Sequence, residues 1–448
     1  MFLTHRKRAL VGATAVAVLA VLTACSGGGD GGGSTDAQDA DPATCGPSGA
    51  ITVLTWRTDL VEDGTFDEYV STFKEKYPEI TDVTIQGITD YEGEVKTRMS
   101  TDDYGDVLAI PGSVKPDQYA QFFEPLGDQA ALEKTYRWLN DKSFEGKSYG
   151  IPVVGNVQGL VYNKKVWEDA GITEFPATTE EFLEDLQTLK DANPDIAPLY
   201  TNYKDGWPVG AWEFYRGGIS ADPDYVNQMA TWDNPWAEGR DHEVIDGLLY
   251  DVTAAKLIED DPTTTNWEQS KQMLGTGEIG VMFLGSWAIP QMQAAAEAAG
   301  ASADDIGYMP FPAQVDGKFH ATAGGDYNLG INVNSKNKCA SRAWIDWFNH
   351  DSGFSEAQVG LSPLIDGTVP AALESFVAEA ELITMNPAPE GKESLFSDID
   401  TASEIVLTAP DYRKKIIDDA RSGARTKEQV FEDLNTAWAK GRASVDAG

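Results

Sequence analysis

Apolar residues recur along residues 51–110 in two alternating rhythms, short continuous runs and one-sided stretches at helical spacing. Ile51–Thr55 reads as a strand and runs into a polar loop, Trp56-Arg57-Thr58-Asp59. A helix follows, because Phe66, Tyr69, Val70, Phe73 and Tyr77 fall at i, i+3, i+4, i+7 and i+11 and so share one face. Val83–Ile85 and Val107–Ile110 are further strands, with a helix near Tyr91–Ser100 between them. Strand, helix, strand, helix predicts a mostly parallel sheet covered on both faces. The pattern then recurs. Leu160–Tyr162 is strand-like, Lys164–Ala170 is a helix stopped by Gly171, and Thr178-x-x-Glu181 is a capping box that opens another helix. That helix turns Phe182, Leu186 and Leu189 inward. Ala197–Tyr200, Ile279–Leu284 and Leu329–Val333 are strand-length apolar runs, and from Pro370 the pattern reads as helical to Phe431, Leu434 and Trp438.

The first residues carry a different signal. Arg6, Lys7 and Arg8 precede an apolar run from Ala9 to Leu22, and small residues then lead to Cys25. This is the layout of a secretory signal peptide. Its ending, Leu22-Thr23-Ala24-Cys25, resembles the bacterial lipoprotein box, which implies that Cys25 becomes the acylated first residue of the mature chain. The alternative is an N-terminal membrane anchor, but the apolar run is short for a span of about 20 residues. The lipoprotein reading places the mature protein outside the cell membrane on a lipid tether. Residues 26–48, rich in Gly, Ser, Thr, Ala and Asp, are a flexible spacer with nothing to bury.

Size and charge narrow the function. The 448 residues exceed what a single core usually organises and suit two lobes. With 72 acidic against 34 basic residues the net charge is −38, which argues against nucleic acid, anionic lipid and ligands recognised through phosphates. Twelve Trp, 16 Tyr and 17 Phe are enough for a core with some left for a pocket. With Cys25 lipidated, Cys45 and Cys339 remain in an oxidising compartment, where a disulfide is the expectation and two free thiols the alternative.

No enzyme signature emerges. His242, His320 and His350 lie far apart with no neighbours at metal-ligand spacing, so neither a metal nor a cofactor is expected. No Gly-x-Ser-x-Gly elbow occurs. Gly146-Lys147-Ser148 fails as a phosphate loop because Asp141 holds the required first glycine position. A carboxylate pair of the glycosidase type cannot be picked out among so many acids.

Several blocks together resemble one family. They are Tyr149-Gly150-Ile151-Pro152, Gly159-Leu160-Val161-Tyr162-Asn163-Lys164, Ala170-Gly171, and Pro176 with Thr178, Thr179, Glu181 and Phe182. Gly277 to Trp287, with Met282 and Gly285 inside it, and Ile306 to Pro312 followed by Gly324-Gly325 agree with them. The order is similar to that of the carbohydrate-type extracellular solute-binding proteins of ABC importers, the family of the maltose-binding protein. The resemblance implies an α/β fold of two lobes, each a mostly parallel sheet flanked by helices, joined by hinge crossings, with a helical C-terminal region. The crossings would fall near Val153–Asn156, near His320–Gly325 and after Leu361-Ser362-Pro363. The expected division is 1–24 signal, 25–48 linker, 49–154 with 321–362 as one lobe, and 155–320 with 363–448 as the other. The implied function is a tethered, monomeric receptor that binds a sugar between its lobes and delivers it to the importer's permease subunits without chemistry. The alternatives are a secreted glycoside hydrolase and the same fold holding a non-sugar solute.

Sugars offer C–H faces that stack on aromatic rings and hydroxyls that need fixed partners. Trp287 matches the family's stacking Trp in its Gly-x-Trp turn, Asn156 a polar contact before the Leu-Val-Tyr strand, and Asp59 a carboxylate after the first strand. Trp56 and Arg57 share the loop of Asp59. Trp207 precedes Pro208 in a loop rich in glycine and aromatics, with Trp212 five residues on, and Asp326 and Tyr327 follow Gly324-Gly325. For each, packing or capping is the competing role. Trp232, Trp236 and Trp267 read as core or surface.

Overall fold

The computed structural model describes residues 45–446; the signal sequence, Cys25 and most of the spacer lie outside the described residues. Two sheets organise the chain. In the first, the strand order is Ile80–Gly87, Gly49–Thr55, Val107–Ala109, Leu329–Asn332, Phe123–Glu124. Gly49–Thr55 runs parallel to both neighbours. Leu329–Asn332 arrives from far along the chain and pairs antiparallel with Val107–Ala109. The helix Thr65–Lys76 buries Phe66 and Phe73 against this sheet, and Trp344, Trp347 and Phe348 of helix Lys338–His350 join the same core.

The second sheet is built around one long strand, Val154–Asn163. Its far half pairs antiparallel with Ile279–Gly285 and Ile306–Met309, and its near half with Lys318–Asp326. Parallel pairing is confined to the margins, where Ala197–Leu199 joins Ile279–Gly285 and Ala380–Ile383 joins Lys318–Asp326. This sheet is therefore less parallel than the element order predicts, because the chain returns across it beside the long strand. Every residue of Ile279–Gly285 is buried, as expected for a strand covered on both faces. The Thr178 hydroxyl accepts from the Glu181 N–H at 3.1 Å and caps helix Thr179–Ala192, whose Phe182, Leu186 and Leu189 are buried. After Pro370 the chain is not wholly helical, since Ala380–Ile383 adds a strand. Helices Leu395–Ser403, Asp411–Ser422 and Lys427–Asp446 form a separate core with Tyr225, Met229 and Trp236.

Three chain crossings meet at Gly155. Val154–Val157 pairs with Ala323–Asp326, placing Gly155 opposite Gly325. The Gly155 N–H donates to Leu361 O at 2.7 Å, and the Leu361 N–H returns a bond to Gly155 O at 2.8 Å. A disulfide joins Cys45 to Cys339, with Cα atoms 6.2 Å apart, and so fastens the start of the first lobe to helix Lys338–His350. Among the described residues no helix is long and apolar enough to cross a membrane.

Candidate functional site

Two cavities lie where the sheets face each other, and both are bordered by Asn156 and Trp287. The inner chamber, about 600 Å³, is walled by Trp138, Trp207, Phe214 and Trp287 and carries Asp141, Gln158, Arg216 and Asp326. The outer groove, about 840 Å³, runs between Arg57, Asp59, Tyr327 and Gln358 on one side and Lys271, Gln272, Gln291 and a row of alanines on the other.

Trp287 owes its position to the strand before it. Ile279–Gly285 ends in a short helical turn, Ser286–Ala288, and a Cβ at Gly285 would lie 2.6 Å from the indole Nε1. Only glycine lets the ring fold back over the strand end. Trp207, 41% exposed, lies 5.6 Å from Trp287 between ring centroids, and Trp267 lies 4.9 Å from Trp207 and 6.0 Å from Trp287. The three indoles form one aromatic patch, of which Trp207 and Trp287 border the cavities and Trp267 packs behind them. Between chamber and groove, the Asn156 amide donates to Asp326 Oδ2 at 3.0 Å, and the Ser286 hydroxyl reaches Asn156 Oδ1 at 3.4 Å. The second Asp326 oxygen accepts from the Tyr327 N–H at 2.8 Å. Burial, reinforced by the nearby Asp141 carboxylate, pushes the Asp326 pKa up to about 6 against these hydrogen bonds. Burial likewise raises Asp141, with Lys142 and Arg216 opposing it.

Arg216 enters the inner chamber from a buried ionic network. Its guanidinium is paired with Glu213, which also accepts from Arg413 Nη2 at 2.9 Å and faces His242 Nε2 at 3.1 Å. Arg413 Nε donates in turn to Asp246 at 2.8 Å. Burial works against the Glu213 charge, but His242, Arg216 and Arg413 together hold its pKa well below the usual carboxylate range. Arg216 is thereby pinned by a carboxylate that stays ionised.

The first-lobe loop faces the outer groove. Arg57 clasps Asp59 through Nε at 2.9 Å and Nη2 at 2.7 Å, and its Nη1 donates to Gln358. Tyr327 takes a left-handed backbone (φ 57°) and packs on Trp56 with ring centroids 3.9 Å apart. Trp56 lies behind Tyr327, edge-on to Tyr91, and borders neither cavity. It supports the site without reaching it. Trp212 does not belong to the cleft: it is 1% exposed and stacks on Phe283 at 3.9 Å inside the second core. The turn Ala211–Tyr215 swings it inward while Trp207 stays outward.

The structure thus brings Trp287, Asn156, Trp207 and Asp326 to the inner chamber and Arg57, Asp59 and Tyr327 to the groove. Sequence reasoning misses Trp138, Asp141, Arg216 and Lys271 as wall residues; Trp267, which it reads as core or surface, packs on the second core and borders neither cavity. Trp138 and Asp141 stand in an irregular stretch where no periodicity marks a face, so no signal points to them.

Comparison with known proteins bears on the family and the fold. The family model for bacterial extracellular solute-binding proteins matches residues 57–352. The diacetylchitobiose binding protein DasA of Streptomyces coelicolor is 30% identical over 239 residues, and a multiple sugar-binding protein of Streptococcus mutans is 22% identical over 285. These alignments take in 50% and 61% of this chain and 53% and 65% of the relatives, so the chain spans about half to two-thirds of the curated relatives it matches. Two solved structures from Bifidobacterium animalis subsp. lactis match over more of the chain. A binding protein of an ABC transporter in complex with mannobiose is 35% identical, with TM-score 0.81 over 92% of this chain and 98% of its own. A manno-oligosaccharide-specific solute-binding protein with mannotriose is 33% identical, with TM-score 0.82 over 93% and 100%. With a family match across both sheets and two lobes closing on one aromatic cleft, the chain belongs to the bacterial extracellular solute-binding proteins.

Proposed function

We propose that this protein binds a sugar, as an oligosaccharide, in the interlobe cleft and delivers it to an ABC importer, working as a monomer from a lipid anchor at Cys25 on the outer face of the membrane. One observation carries the sugar reading: the inner chamber sets Trp207 and Trp287 beside Asn156, Asp326, Asp141 and Arg216. Aromatic walls suit the C–H faces of a pyranose, and fixed amide, carboxylate and guanidinium groups suit its hydroxyls. The continuation into the outer groove past Asn156 and Trp287 suits more than one sugar unit. The two bifidobacterial binding proteins, described with mannobiose and mannotriose, support manno-oligosaccharides as the first sugars to try. The ligand leaves unchanged, since the role is capture and transfer.

A thermal-shift and calorimetric panel of mannobiose, mannotriose, diacetylchitobiose and raffinose tests this reading. A sugar at 100 times its dissociation constant should stabilise the protein by about 2.7 kcal/mol. If none of these sugars shifts the melt or releases heat, while a polyamine or a phosphodiester does, the solute is not a sugar. For the anchor, Cys25→Ala should release the protein from the membrane fraction; continued acylation of the variant would exclude that site.

A further inference from the structure

Trp138 stands out from its surroundings by backbone, packing and position at once. Its φ of 59° is left-handed, a conformation that costs a bulky residue energy and persists only where packing enforces it. Its neighbours Tyr136 and Leu139 are buried in the first lobe's core, and the Tyr136 hydroxyl donates to Asp346 of helix Lys338–His350 at 3.1 Å. The Trp138 ring, only 7% exposed, instead belongs to the second lobe's core with Val157, Ala321 and Ala323. Its indole N–H donates to Thr384 Oγ1 at 3.1 Å, beyond the marginal strand of the second sheet. The left-handed turn is what sends one side chain across while its neighbours stay behind.

The ring occupies a notch made by two glycines. Gly155 and Gly325 are cross-strand partners where the crossings meet, and a Cβ on Gly155 would run into the ring itself. A Cβ on Gly325 would lie 3.0 Å from the Trp138 Cβ. One side of the indole borders the inner chamber beside Asp141 and Asp326. The other borders a rear cavity of about 320 Å³ with Arg137, Ile365 and Leu382. Rotation of one lobe against the other about Gly155 must move this ring relative to one of its two anchors.

We propose that Trp138 is a positioning residue that sets the resting angle of the lobes, and through it the affinity of the inner chamber. The inference rests on the cleft being the ligand site, whatever the ligand. Thr384→Val removes the interlobe hydrogen bond and keeps the packing, while Trp138→Phe removes the bond together with part of the ring that fills the Gly155 notch, a smaller loss than Trp138→Ala. Spin labels at Glu79→Cys and Glu297→Cys, both exposed positions, report the lobe separation without ligand. Each variant should broaden or lengthen that distance; Thr384→Val should weaken mannotriose binding about 2- to 12-fold, the worth of one hydrogen bond, and Trp138→Phe by at least as much. Adding Thr384→Val to Trp138→Phe should do no more than Trp138→Phe alone. Gly155→Ala should displace the ring and mimic Trp138→Ala, whereas adding Gly155→Ala to Trp138→Ala should change little further. Unchanged distances in Trp138→Phe and Thr384→Val would overturn the proposal even if their melting temperatures fall. So would an equal penalty for Gly155→Ala with and without the ring. Failure of mannotriose to bind the unmutated protein would count against that sugar alone, because the distances in the unliganded proteins still decide the role of Trp138.

Discussion

Trp287 borders both cavities, so truncating it separates binding from packing in a single variant. Loss of a stacking face costs about 0.5–1.5 kcal/mol beyond burial, and lost apolar contact about 1–2 more. Trp287→Ala should therefore weaken sugar binding roughly 10- to 300-fold by calorimetry while the melting temperature moves little. Full affinity in a strongly destabilised variant would make Trp287 a core residue. Asp326 gives a prediction with a defined pH window. The unfolded chain releases this proton near the ordinary value of 3.8 and the folded chain near 6, so the folded state holds the proton more tightly. The contribution of Asp326 to stability must then fall as pH rises from about 4 to about 6 and stay level above that range. In melting curves the stability of the native protein relative to Asp326→Asn should decline across that window; a difference independent of pH would remove Asp326 as its source. Residues with a local signature are legible in the sequence, such as Trp287 after its glycine turn and Asn156 and Asp326 beside the crossings. Trp212 misleads because five residues of spacing do not say whether a short 3-10 turn lies between two aromatics. Trp138 is illegible because its role depends on a backbone inversion that no spacing encodes.

Elements are easier to read than their partners. Apolar spacing locates the helix Thr65–Lys76 and the buried strand Ile279–Gly285 to within a few residues. It does not locate the antiparallel returns of Ile306–Met309 and Lys318–Asp326 against Val154–Asn163, since strand direction is set by where the chain must come back and not by composition. The strand Ala380–Ile383 is hidden for a related reason: it is short and abuts helix Ala371–Glu379 directly. Nor does spacing reveal how helix Asp411–Ser422 is fastened. Its Arg413 is fully buried between Glu213 and Asp246, so the helix is held by charge as well as by Ile416 and Ile417. Replacing one partner of a buried pair leaves the other charge uncompensated. Arg413→Met should cost about 3–5 kcal/mol in urea unfolding, far more than the loss of an exposed ion pair. A cost under about 1 kcal/mol would mean that the network contributes nothing net.

At the scale of the molecule, the disulfide and the crossings impose the same requirement on the chain. Cys45 and Cys339 are 294 residues apart, and replacing both with serine should cost roughly 2–5 kcal/mol, measured by thermal or urea unfolding against the oxidised native protein. No difference between oxidised protein and double variant would show that the bridge is dispensable. The first sheet carries the further consequence. Leu329–Asn332 sits between Val107–Ala109 and Phe123–Glu124, so the earliest strands of the chain cannot complete their sheet until a segment more than two hundred residues later has emerged. During synthesis and export, the amino-terminal part must wait with an open edge while the second sheet's long strand and its partners come out in nearly continuous order. An open edge is a template for unwanted pairing with other chains. Delay in delivering residues 329–332 should therefore leave aggregation-prone nascent chains, and Cys339, which follows in helix Lys338–His350, can bond Cys45 only once that segment has emerged.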